Sequence, residues 1–370
     1  MFILIFIPIV TSFEIGQKRI IQTSLTTTTQ KPIVTILMMF PDIDQFIPNL
    51  KSLLIVYEYI VDQYNISNWL NVTLQVKDSN CSISLAPHKL VTTMLSAIPD
   101  VVFGPFCDLA VAPVARLLHY QNIPLITMGA VSNDFTLHRQ TMYSSLFRFG
   151  YRTDELGALL IKLFQYYKWS FVKFVYEDDP KPWHECQVLL RPIAHTFSSN
   201  QIRSDNRKIT DRDIKDNFKS IFFDFISNNA SISLWCVKPK TFRSAVLTAQ
   251  KLGFINGEYV FIYLDTVLTQ ENTDEKSLAV RKPWFNPNEI KTETNENARR
   301  AFETVLFVRQ RLYTDERFHR FAANVVEFAK KTNRSKQIIP ESVRIYFRRR
   351  RRRREIKRTK SYFIVERKFY

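Results

Sequence analysis

The chain has no CxxC pair, no GxGxxG, no GxxxxGK(S/T), no HExxH and no GxSxG. Without CxxC, a zinc ribbon or a thioredoxin-like redox centre is not expected. Glycine is scarce, at seven residues in 370, and the two glycine motifs that cradle nucleotide phosphates are missing. The zincin helix and the hydrolase nucleophile elbow are missing as well. The six histidines (His88, His119, His138, His184, His195, His319) are scattered. No apolar run reaches eighteen residues, so no transmembrane helix is expected within the chain.

Cysteine is also sparse: Cys81, Cys107, Cys186 and Cys236. An even number in a secretory context suggests disulfides, and four cysteines allow three connectivities. Sequence neighbours would pair Cys81 with Cys107 and Cys186 with Cys236, each closing a loop in one half of the chain. The letters His184-Glu185-Cys186 suggest a nucleophile, but oxidation of that cysteine would remove it. The secretory context comes from residues 1–12, MFILIFIPIVTS, which read as a signal peptide with an apolar core at Phe2–Val10 and a small-residue cleavage site at Val10-Thr11-Ser12. Five glycosylation sequons follow, at Asn65, Asn71, Asn80, Asn229 and Asn333. Together these place the protein outside the cell or at its surface.

The net charge of +17 is uneven. Residues 331–370 hold sixteen basic and three acidic side chains, a net of +13, which leaves only +4 for the other 330 residues. The excess centres on seven consecutive arginines, Arg348–Arg354. Such a run could neutralise phosphates of nucleic acid or of an anionic membrane. Its aromatic end, Ser361–Tyr370, is unlike a disordered tail. Residues 334–370 are read as a disordered extension or, given those aromatics, as translated non-coding sequence, and their removal from Pro340 onward would leave the fold intact.

What remains is rich in core-forming residues: 45% are hydrophobic, with thirty Phe and fifteen Tyr. Apolar runs alternate with helical periodicity. Strands are expected within 31–40, at Asn71–Val76, Val101–Phe103, Ile123–Met128 and Leu146–Phe149. Helices are expected at Phe46–Tyr64, Pro87–Ile98 and Cys107–Tyr120. After Gly150 a second series opens. Thr153 is expected to cap a helix over Glu155–Tyr167. Strand Phe171–Tyr176, helix Glu185–His195 and a strand near Gln201–Arg203 follow. The series continues with helix Asp213–Ile226, strand Ile232–Val237, helix Thr241–Leu252 ended by Gly253, and strand Tyr259–Leu264. Two strand–helix series mean an α/β protein with two doubly wound lobes and a cleft between them. Lobe 1 spans residues 31–150 and lobe 2 spans 151–265. Residues 266–333 form a return segment with a helix at Arg317–Lys331. Ligands of such sheets bind at the carboxyl ends of the strands.

The run GPFCDLAVAPVARLLHYQNIPLITMGA, residues 104–130, resembles the ectodomains of natriuretic peptide receptors and related receptor guanylate cyclases. Asp78–Cys81, Trp169-Ser170, Val175–Asp179, Gly257–Asp265, Lys282–Trp284 and Ala301-Phe302 agree with the same family in the same order. The resemblance spans about residues 31–330. It implies a type I periplasmic-binding-protein-like fold, with the first lobe lacking its last elements here. It also implies disulfides that pair as neighbour order suggests, and a homodimer formed through lobe 1 that holds a peptide hormone. Contact with the membrane would run through a segment not in this chain. Any guanylate cyclase activity would likewise lie outside it, so the chain itself is not expected to be an enzyme.

Three ligand-facing residues follow from the resemblance. Arg116 would meet a ligand carboxylate, Phe135 is an aromatic after the Gly129-Ala130 turn, and Tyr176 would line a pocket for a ligand side chain. The chain departs from the family pattern at Leu109, at Ile83 and at Gln187-Val188. Chloride, which the family holds on backbone groups of the Gly-Pro-x-Cys turn, is the one cofactor implied, and Phe106 stands there in place of a small residue. Two other readings remain. The same clamshell could sense an amino-acid-like solute, using Thr127 and Ser132. Alternatively the tail could bind nucleic acid or anionic membrane, although no nucleic-acid partner is expected of a receptor of this family.

Overall fold

The computed structural model describes residues 31–42, 50–177, 185–265, 283–286, 292–310, 316–332 and 363–366. The expected signal peptide, His184 and Asn333 lie outside them.

Lobe 1 is built on β1 (Ile33–Phe40), whose run IVTILMMF is apolar on both faces. Such strands belong in the middle of a parallel sheet covered on both sides. The sheet order is β2-β1-β3-β4-β5, with β2 at Asn71–Asp78, β3 at Val101–Phe103, β4 at Leu125–Thr127 and β5 at Leu146–Arg148. All four pairings are parallel. Leu37 and Met39 face helices α2 (Leu85–Ser96) and α3 (Asp108–Gln121). Ile36, Met38 and Phe40 face α1 (Leu50–Gln63). In α3 the residues Ala110, Val111, Val114, Ala115 and Leu118 are buried, a stripe at helical spacing against the sheet. Two short helices absent from the sequence reading, α4 (Asp134–Leu137) and α5 (Arg139–Met142), link β4 to β5.

The chain crosses to lobe 2 after β5. Helix α6 covers Thr153–Tyr167, and its N-cap is Arg152, in extended backbone. Thr153 is not the cap that was expected. It is the first helical residue, fully buried, and its N–H donates to Val131 of lobe 1 at 2.9 Å. That bond fixes the entry of the helix from the other lobe.

Lobe 2 has a six-stranded sheet in the order β11-β10-β9-β8-β6-β7. Its members are β6 (Phe171–Tyr176), β7 (Arg203–Lys208), β8 (Ile232–Cys236), β9 (Val260–Asp265), β10 (Val305–Gln310) and β11 (Phe363–Glu366). β6 to β10 pair in parallel, and β11 runs antiparallel on β10. α6 and α7 (Glu185–Ser199) cover one face through Leu160, Phe164, Leu189, Ile193 and Phe197. Helices α8 (Asp211–Lys215), α9 (Lys219–Ser227) and α10 (Pro239–Lys251) follow in the chain, and Phe222, Phe225, Phe242 and Val246 of the last two fill the other face. Gly253, at φ +81°, ends α10 as expected.

Three expectations are corrected here. The single helix over Asp213–Ile226 is two, broken at Asn217 and Phe218, both in left-handed backbone (φ 54° and 63°). Lobe 2 extends past residue 265, because α11 (Thr292–Ala301) leads into β10 of the same sheet. Four residues of the expected structureless tail form β11. The helix expected at Arg317–Lys331 is α12 (Glu316–Lys331). It returns to lobe 1, where the Tyr59 ring of α1 meets Phe321 and Phe328 edge-on, at 5.6 and 5.7 Å between centroids.

Candidate ligand-binding surface

The carboxyl ends of the lobe 1 strands are shaped by two turns that accept only glycine at one position each. Gly104 has φ +84°, and a Cβ there would stand 1.9 Å from the Met39 carbonyl oxygen. A Cβ on Gly129 would stand 1.7 Å from the Phe106 carbonyl oxygen. Backbone therefore packs on backbone at this edge. Thr127 ties the two turns, its Oγ1 donating to Pro105 O at 2.5 Å and accepting from Gly129 N at 3.0 Å. The Cys81–Cys107 disulfide joins the end of β2 to the start of α3.

Asp108 was not singled out in the sequence, yet it organises the next loop. Its carboxylate accepts the N–H groups of Val131 and Ser132 at 2.9 and 2.8 Å. Arg148 closes the same loop, donating to Ala130 O and Ser132 O at 2.8 and 3.1 Å. Burial pushes the Asp108 carboxyl up to about 6, against the loop N–H groups and Arg148, which pull it down. The Arg148 guanidinium lies below its usual range, chiefly through burial. An acidic residue in the first turn of a helix beside a cysteine was the available signal, but such residues are ordinary there.

The turn expected to hold a chloride is crowded. Phe106 packs against both cores of lobe 1, and its carbonyl lies against Gly129. The Asp108 carboxylate, one residue past Cys107, brings its own negative charge to the helix start.

Arg116 is exposed on the solvent side of α3, and its guanidinium carbon lies 5.6 Å from the centroid of the Tyr143 ring. The Tyr143 hydroxyl donates to Asp134 at 3.2 Å, and Asp134 pairs with His138 at 2.9 Å. Phe135 corrects an expectation. It is 4% exposed and packs on Tyr143 at 4.9 Å between centroids, so it belongs to the core and not to a ligand-facing surface. Its position after the turn gave the aromatic type but not the direction of the ring. Of the departures from the family pattern, Ile83 is exposed and Leu109 half-buried, whereas the Gln187 and Val188 side chains lie outside the described residues.

Tyr176 ends β6 at the carboxyl edge of the lobe 2 sheet, half-buried and packed against its core. It stands opposite Cys236 in β8, and the Cys186–Cys236 disulfide closes this edge as Cys81–Cys107 closes the edge of lobe 1. Arg116 and Tyr176 thus sit on different lobes, and no hydrogen bond, ion pair or ring contact joins them among the described residues. Asn65, Asn71, Asn80 and Asn229 are all exposed.

Two doubly wound lobes, each with a disulfide at the carboxyl edge of its sheet, make a two-lobed α/β domain whose strand ends face ligands in proteins of this architecture. The chain belongs to the family described as receptor family ligand binding region, whose model matches residues 50–362. The matched span passes the expected limit of about residue 330 and takes in the arginine run. Among its relatives, the human atrial natriuretic peptide receptor 3 is 29% identical over 197 residues, covering 51% of this chain and 35% of that protein. The receptor 3 of Bos taurus gives the same figures. Atrial natriuretic peptide receptor 2 of Rattus norvegicus is 28% identical over 239 residues, covering 63% of this chain and 22% of that protein. The chain therefore spans about a third or less of the length of these relatives. Among the described residues no helix is long and apolar enough to cross a membrane.

Proposed function

We propose that this chain is the extracellular ligand-binding region of a natriuretic-peptide-type hormone receptor, and that it binds a peptide as a homodimer formed through lobe 1. The observation that carries the reading is Arg116, a cation presented on α3 of a receptor ligand-binding fold by an aromatic ring. A ligand carboxylate would pair with it, and Tyr176 would offer a ring and a hydroxyl from lobe 2. The two disulfides support an oxidising, extracellular setting. The region is read as binding and not catalysing; a guanylate cyclase, if one follows, is a separate part of a longer protein.

The amino-acid-sensor reading is less well supported. Thr127 is committed to Pro105 O and Gly129 N, and the Ser132 hydroxyl accepts from Asp134 N at 3.3 Å. The Thr127 O–H is thus committed, and of the two hydroxyls Ser132 alone keeps a donor for a solute carboxylate. The tail reading rests on Arg348–Arg354, which lie outside the described residues.

Calorimetric titration with atrial natriuretic peptide tests the proposal. Binding should be saturable, and Arg116→Ala should weaken it by about 2 kcal/mol or more if the ion pair is desolvated. Tyr176→Ala should have a similar effect. If no peptide binds while a free amino acid raises the melting temperature, the sensor reading replaces this one. Salt-sensitive binding to nucleic acid that vanishes with residues 340–370 would favour the tail.

A further inference from the structure

Arg116 is exposed, and an exposed arginine ordinarily samples many rotamers that binding must freeze. Ordering such a side chain costs roughly 0.5–1.5 kcal/mol, so a side chain held in place before the ligand arrives gains about two- to tenfold in affinity. Three layers stand behind this guanidinium. The first is the Tyr143 ring, 5.6 Å from the guanidinium carbon and within cation–π range. The second is Asp134, which accepts the Tyr143 hydroxyl at 3.2 Å and is itself tied to His138 Nδ1 at 2.9 Å. The third is Phe135, buried, its ring tilted against Tyr143 at 4.9 Å. Asp134 and Phe135 are neighbours in α4, and Tyr143 directly follows α5. The two short helices between β4 and β5 therefore serve one ring. Burial holds the Tyr143 phenol above its ordinary range.

We propose that Tyr143 and Asp134 are positioning residues for Arg116: the ring holds the guanidinium at the surface, and the carboxylate holds the ring. Tyr143 is fully buried and would not itself touch a ligand. Its consequence for affinity rests on the reading of Arg116 as ligand-facing, whereas the positioning itself does not.

The experiment has two arms on the full chain. The first follows the Arg116 Nε–Hε resonance by NMR, assigned through Arg116→Lys, with no ligand present. The wild type should show a ring-current shift and restricted motion. Tyr143→Leu should return both to the values of a free surface arginine. Because Tyr143 lies in the core, Tyr143→Phe and Asp134→Asn provide gentler tests. Each loosens the ring's tether without emptying the core, and each should give an intermediate shift and greater mobility. An Arg116 signal unchanged across all three variants overturns the proposal, as does a wild-type signal that is already that of a free arginine. The second arm titrates atrial natriuretic peptide. Asp134→Asn should weaken binding about three- to tenfold, and should add nothing in an Arg116→Ala background, because both act through one side chain. A further loss in that background would mean that Asp134 acts elsewhere. If the wild type does not bind this peptide, the hormone reading fails and the first arm still decides the positioning.

Discussion

Asp108 shows how one side chain can organise a ligand-facing edge and carry a pH signature. Its carboxyl is buried under the loop whose N–H groups it accepts, and it titrates at about 6 where an ordinary aspartate titrates near 3.8. The folded protein therefore holds this proton more tightly than the unfolded chain between about pH 4 and 6. Stability then falls as pH rises through that window, because the native state binds more protons there than the unfolded state. A shift of this size corresponds to roughly 2–3 kcal/mol. The fall should appear in denaturant titrations of the wild type between pH 4 and 6.5. It should be absent from Asp108→Asn, whose side chain does not titrate. Identical pH slopes for the two proteins would show that the Asp108 carboxyl is not the source. Phe135 makes a complementary point. Burial turned an aromatic with an apparent ligand role into support for Tyr143, and nothing in its letter or its place in the sequence distinguishes the two fates.

At the scale of elements, sequence periodicity identified what local rules determine and missed what tertiary contact determines. The runs Ile33–Phe40, Phe171–Tyr176 and Ile232–Cys236 are apolar except for one residue each (Thr35, Lys173 and Ser233) and became central strands. β10 was missed although VLFV is apolar: it is as long as β6, but it ends in Arg309-Gln310 and directly follows a helix and a short helical turn, and its place in the sheet is fixed by pairing with β9. The break between α8 and α9 was missed because phenylalanine is a poor left-handed residue. Phe218 adopts φ 63° with its ring buried at 4% exposure, and that burial offsets the backbone cost. Of the candidate site, the cysteine pairs were legible in neighbour order and Arg116 was named through the family resemblance alone, whereas Asp108, Asp134 and Tyr143 have meaning only through contacts 9 to 27 residues away in sequence. β11 was hidden by the arginine run before it, and it changes what truncation should do. Deleting Pro340–Tyr370 removes the antiparallel partner of β10 and leaves the backbone of β10 as an open edge. The truncated protein should melt lower and aggregate more readily than the full chain, as followed by scanning calorimetry with light scattering. An unchanged melting point and a clear solution would restore the view that the tail is dispensable to the fold.

Across the whole molecule, α12 packs on α1 and covers one face of the lobe 1 sheet, while α2 and α3 cover the other. The outward sides of these last two helices are unusually apolar. Val91 and Leu95 of α2 are 44% and 83% exposed, Ile98 just beyond it is 64% exposed, and Tyr120 of α3 is 80% exposed. Solvent-facing positions of a helix on an isolated domain are ordinarily polar, and grouped apolar side chains mark interaction surfaces. The proposed homodimer through lobe 1 gives this surface an occupant. In a two-fold dimer the same patch is used by both copies, so one substitution acts twice. Leu95 projects furthest and contributes little to the monomer core, so Leu95→Asp should leave the melting temperature of the monomer nearly unchanged. It should place two carboxylates in an apolar contact and drive dissociation. Sedimentation of the wild type should show a dimer that Leu95→Asp converts to monomer, whereas a charge substituted at exposed Ile214 of lobe 2 should have no such effect. A dimer that survives Leu95→Asp, or a wild type that is monomeric with and without peptide, would rule out this face. Peptide binding by such a monomer would separate the hormone reading from the dimer, leaving Arg116 and Tyr176 of a single chain as its anchors.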